Sequence, residues 1–129
     1  MLWLLRRAIV ILYPRASLPG AADCALDDFL RTFKRETPLS VWAGTVAGAV
    51  VFHLFPLFTV FVPLPAFLLP RRLADLHAAR ISVSSLYLVR QSIFLVKMCA
   101  GLCWAADPQV RARLALPPLI EDPRTWRTS

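Results

Sequence analysis

Apolar residues along this chain recur at helical rather than strand spacing, and prolines cut the pattern into segments. Residues 1–13 read as a short helix that is apolar on both sides of Arg6 and Arg7, and Pro14 stops it. It is either an interfacial helix, with Trp3 and Tyr13 as amphipathic anchors, or an ordinary helix docked on the protein's own core. A secretory signal would put its positive charge first, then a longer apolar run and a small-residue cleavage site, and this order does not fit. Residues 14–20 form a linker marked by Pro14, Pro19 and Gly20. Residues 23–36 then read as an amphipathic helix with Leu26, Phe29, Leu30 and Phe33 on one face. Its acids (Asp23, Asp27, Asp28) come early and its bases (Lys34, Arg35) late, which complements the helix dipole.

From Thr37 to Pro70 no residue carries a formal charge. Residues 42–61 alone supply enough apolar or small side chains to cross a bilayer's hydrocarbon core. Gly44 and Gly48 make a G-x-x-x-G pair that permits close helix approach. Pro56 interrupts the run, so the segment is either one kinked span or a re-entrant hairpin, because a carbonyl freed by proline needs a new donor in lipid. His53 is read as supplying that donor, the alternative being a functional polar group at membrane depth.

Arg71, Arg72 and Arg80 bracket a short polar helix, after which residues 81–106 read as one long helix. Leu86, Val89, Ile93, Val96, Ala100 and Cys103 alternate three and four apart, the spacing of a packing seam. Apolar residues also cover the opposite side (Leu88, Leu95, Leu102) and the flank (Tyr87, Phe94, Met98). A helix apolar all round is buried or in a membrane. Only Arg90 and Lys97 break this coat; they lie seven apart on one face, with no carboxylate in the helix three or four residues from either. Either they meet acidic groups, carbonyls or anionic headgroups of a partner, or their stems lie along the surface and carry the charge to water. Asp107 and Pro108 predict the cap and first turn of another helix through Leu114. Residues 119–129 have no periodicity and read as an arm in which Trp126 is a candidate anchor.

The expected fold is therefore all-α: a small helical bundle with one or two long apolar helices, membrane-associated or buried in a partner. It forms a single domain, with an apolar N-terminal helix and linker (1–20), a helical core (21–114) and an extended C-terminal arm (115–129).

Composition sharpens this picture. The chain has 129 residues, of which 57% are hydrophobic and 18% charged, against roughly 45–50% and about 25% in an ordinary soluble domain. So short a chain buries only about two thirds of its surface on folding, so apolar area is left over for lipid or another protein. The net charge is +7, but the basic residues are scattered and the aromatics lie inside apolar runs. That pattern argues against a nucleic-acid platform and for an anionic membrane surface or an acidic partner. Cys24, Cys99 and Cys103 are odd in number and show no disulfide or metal-site spacing, so they read as buried thiols. Neither dinucleotide-binding nor nucleophile-elbow glycine motifs occur, and His53 and His77 have no evident nucleophile partner. The chain is expected not to be an enzyme and to hold no cofactor or metal.

Ser85, Tyr87 and Arg90, then Lys97, then Trp104 and the run Asp107-Pro108-Gln109-Val110-Arg111 resemble a known pattern. It is that of the small helical subunit, or fused N-terminal segment, accompanying membrane-associated glucose–methanol–choline flavoprotein oxidoreductases of the gluconate dehydrogenase and long-chain alcohol oxidase type. The likeness is closer over 85–111 and looser over 25–114. It implies a non-catalytic accessory subunit that stabilises a larger FAD-dependent chain and docks it at a membrane, the bacterial inner membrane being the expected location. The resemblance makes Arg90 and Lys97 the leading partner contacts, with Tyr87 and Trp104 as further candidates; Trp126 joins them only as an aromatic in the arm, whose default is a frayed terminus. The alternative is an independent small integral membrane protein, such as a structural subunit of a respiratory or transport complex.

Overall fold

The computed structural model describes residues 1–118, and its regular elements there are helices without strands. They are α1 (Leu2–Leu12), α2 (Leu26–Glu36), α3 (Leu39–Leu54), α4 (Pro56–Thr59), α5 (Arg71–Ser82), α6 (Tyr87–Ala106) and α7 (Pro108–Arg113). The small all-α bundle expected from the sequence is the fold observed.

Helices α3 and α6 form the central pair. A β-carbon built on Gly44 would meet Leu95, and one on Gly48 would lie 2.3 Å from the Ser92 carbonyl oxygen, so the two helices run antiparallel and touch along the small residues. The G-x-x-x-G pair thus joins two helices of the same chain. Ile93, Val96, Ala100 and Cys103 of the expected seam are buried and Val89 is half-buried, against Ala49 and Phe52 of α3, and Cys99, which the seam did not include, is buried with them. Leu86 falls outside the seam and is exposed.

α1 crosses this pair. Its Leu5, Ala8 and Ile9 are fully buried, which decides for a helix docked on the protein's own core. Its first turn reaches α3, where His53 Nε2 donates to the Leu4 carbonyl at 2.8 Å. Its far end reaches α6, where the Tyr13 hydroxyl donates to the Lys97 carbonyl at 3.4 Å. α2 is held on α1 by the Arg6–Asp27 ion pair (3.1 Å) and continues through stacked Phe29 and Phe33 toward Trp42.

Three boundaries differ from the sequence reading. α2 begins at Leu26, not Asp23: residues Ala21–Asp23 make a 3₁₀ turn in which the Asp23 carboxylate accepts from Gly20 N at 2.9 Å and pairs with Arg15. That side-chain-to-backbone bond competes with helical continuation. Gly20 is required there, since a β-carbon would lie 2.6 Å from the Arg15 backbone nitrogen.

The long helix expected over 81–106 is two helices. Ile81 and Ser82 close α5, and residues 83–86 turn the chain, with Ser84 Oγ accepting from Leu86 N at 3.2 Å. The apolar run at 42–61 is likewise divided. α3 ends at Leu54, the four-residue α4 starts at Pro56, and Phe61 adopts a left-handed backbone (φ 58°). At 1.5 Å per residue, α3's 16 residues extend about 24 Å, short of the roughly 30 Å hydrocarbon core. α6, with 20 residues, is long and apolar enough to cross one.

Candidate docking surface

Four of the residues singled out from the sequence lie on α6, and the fold gives them different settings. Tyr87 and Arg90 stand exposed at its N-terminal end, the guanidinium 5.9 Å from the ring centre and donating to the Ser84 carbonyl at 3.1 Å. At the other end Trp104 is engaged within the chain. Its indole N–H donates to the Pro19 carbonyl at 2.8 Å, and its ring lies 6.5 Å from that of Tyr13. Lys97 sits between, half-buried, its main-chain carbonyl taken by Tyr13. The Tyr13–Trp104 clasp was not foreseen, because nothing local links residue 13 to residue 104. Trp126 lies outside the described residues.

Charge is distributed unevenly around this surface. The ion pairs among the described residues all use carboxylates between positions 23 and 36. Residues 37–118 hold seven cations (Arg71, Arg72, Arg80, Arg90, Lys97, Arg111, Arg113) and two carboxylates. Of those two, Asp107 caps α7 as expected, accepting from Gln109 N at 2.9 Å and Val110 N at 3.1 Å. Asp75 lies on the exposed side of α5. No ion pair joins any of these seven cations to a carboxylate among the described residues.

The end of the bundle beside Tyr87 and Arg90 is fixed by a knot of polar groups. Pro56 has no N–H, so the Phe52 carbonyl four residues earlier loses its helical donor. His77, not His53 as the sequence reading had it, fills the place: its Nε2 donates to Phe52 O at 2.8 Å. With that proton committed, Nδ1 must accept, so the Thr59 hydroxyl donates to it. Arg80 then donates to the Thr59 carbonyl. The sequence correctly required a donor near Pro56, but the choice between two histidines depended on the α5 crossing.

His53 instead bonds α1, and its buried Nδ1 has no partner among the described residues. Burial lowers the pKa of both histidines from 6.5, the carbonyl bonds opposing that shift. Both imidazoles are therefore neutral structural donors.

The cysteines are free thiols, Cys99 and Cys103 buried and Cys24 half-buried. Burial, helped at Cys24 by Asp107 and at Cys99 by Cys103, pushes Cys24 and Cys99 up to about 12. Burial and then Asp107 push Cys103 to about 11. Such thiols are protonated and poor nucleophiles near neutral pH. No cluster of three metal-ligating side chains occurs among the described residues.

A shallow cleft of about 550 Å³ along the outer side of α3 is lined by Met1, Trp42, Val46 and Val50 with neighbouring small residues. It offers apolar contact and no titratable side chain. Comparison with known proteins returns no matching family model, no similar curated protein and no similar solved structure.

Proposed function

We propose that this chain is a non-catalytic accessory subunit that stabilises a larger FAD-dependent oxidoreductase of the glucose–methanol–choline type and docks it at a membrane. One observation carries the reading: after the bundle has closed, large apolar side chains still stand exposed on several of its elements, among them Leu39, Phe58, Phe61, Val83, Leu88 and Phe94. Large apolar side chains gathered into an exposed patch mark a binding surface. Both histidines bond main-chain carbonyls and the thiols are held protonated, which supports a structural rather than a catalytic part.

The flavoprotein partner is inferred from the resemblance over 85–111. In support, Tyr87, Arg90, Lys97 and Trp104 fall along one helix that passes into the Asp107 cap. The flavin would belong to the partner.

The test is co-purification. The tagged chain, recovered in mild detergent from its source membranes, should carry a larger chain in stoichiometric amount with flavin absorbance. Recovery as a colourless single species would overturn the assignment.

The second reading, an independent integral membrane protein, is favoured by the length of α6. Against it, Lys97 is the eleventh of the helix's 20 residues, and a lysine at mid-membrane costs about 2.5–3.5 kcal/mol on insertion scales. Retention in the membrane pellet through a carbonate wash, with no partner chain present, would favour this second reading.

A further inference from the structure

We infer that one end of the bundle, built from residues 54–64 and 83–90, inserts into the headgroup–acyl boundary of an anionic phospholipid bilayer, with Arg80 and Arg90 at the lipid phosphates. The inference deepens the membrane-docking half of the proposed function and rests on it. The antiparallel α3–α6 pair brings the end of α3 beside the start of α6, and the His77–Thr59–Arg80 knot ties α4 to α5 at the same place.

What gathers there is apolar and uncovered: Leu54, Phe58, Phe61, Val83, Leu86 and Leu88, with Phe61 80% and Leu88 77% exposed. Phe61 is a second, independent pointer. A bulky aromatic in the left-handed region carries backbone strain, and here the strain leaves the ring largely in solvent. Strain of that kind is kept where the side chain meets something outside the fold.

Charge selects the occupant. Between residues 37 and 106 the chain has one carboxylate, Asp75, against Arg71, Arg72, Arg80, Arg90 and Lys97. Arg80 and Arg90 each spend a donor on a main-chain carbonyl, and a guanidinium has five, so each retains donors for a phosphate. Arg90 also lies over Tyr87, an amphipathic ring suited to the headgroup level. A patch of aliphatic and aromatic side chains flanked by a single sign of charge matches an anionic lipid interface.

The full-length chain, delivered from dilute mild detergent, should co-sediment with vesicles containing about a third phosphatidylglycerol and much less with pure phosphatidylcholine, with binding weakened by salt. Arg90→Gln should lower the partition coefficient about fivefold. Phe61→Asn with Leu88→Gln should lower it at least about tenfold; asparagine suits the left-handed backbone, so the helical circular dichroism and melting temperature should be kept.

Equal binding of wild type and the double variant, or no preference for anionic vesicles, would overturn the inference, and a protein would then be the occupant of this end. Vesicle binding is read without the flavoprotein. Loss of the flavoprotein with vesicle binding intact therefore counts against the accessory-subunit reading alone and supports this assignment.

Discussion

At the residue scale the two histidines set a pH dependence. Burial lowers both pKa values from the usual 6.5, so below that pH the unfolded chain takes up protons that the folded chain refuses. Stability is then complete above pH 6.5 and declines as the pH falls toward the folded-state values, by no more than about 1.4 kcal/mol per pH unit for each histidine. Urea titrations in mild detergent between pH 7.5 and 5 should show this slope, and His77→Ala should roughly halve it. The same substitution strands the Phe52 carbonyl, while the Thr59 hydroxyl can turn to the Phe55 carbonyl at 3.2 Å, and it should cost about 1–3 kcal/mol at neutral pH. The thiols give a second check. With pKa values at about 11 to 12, alkylation of the native protein at pH 8 should run at least tenfold slower than that of the denatured chain. Equal rates would show thiols far more accessible than the fold places them.

At the scale of elements, the two helical glycines make opposite predictions. A methyl at Gly48 would meet the Ser92 carbonyl, which is backbone and cannot yield, whereas at Gly44 it would meet the flexible end of Leu95. Gly48→Ala should therefore destabilise by about 1–3 kcal/mol, and Gly44→Ala should be neutral or stabilising by up to about 1 kcal/mol. Thermal melts of the two variants decide it.

Helical spacing in the sequence revealed the α6 seam, the apolar face of α2 and the Asp107 cap, because each depends on neighbours within a few positions. It did not reveal the breaks at Asp23 and at 83–86. There, one short polar side chain bonding the local backbone outweighs a good apolar pattern. The pairings of His77 with Phe52 and of Trp104 with Pro19 join residues 25 and 85 apart. Long-range bonds of this kind leave no periodic trace. The surface at Tyr87 and Arg90 was legible as charge breaking an apolar coat, while its continuation through Phe58 and Phe61 depended on α4 folding back against α5.

For the molecule as a whole, the excess of apolar area read from the composition persists after folding. The core is filled around α1, α3 and α6, yet Leu39, Phe61, Val83 and Leu88 remain largely uncovered. These side chains are displayed by a closed bundle, and on the proposed reading lipid or a larger chain covers them. Sedimentation velocity of the isolated polypeptide in detergent-free buffer tests this most directly. Self-association or precipitation, reversed by anionic vesicles or by the co-expressed partner, is the predicted outcome. A folded, concentration-independent monomer of 14.5 kDa in plain salt solution would contradict the account.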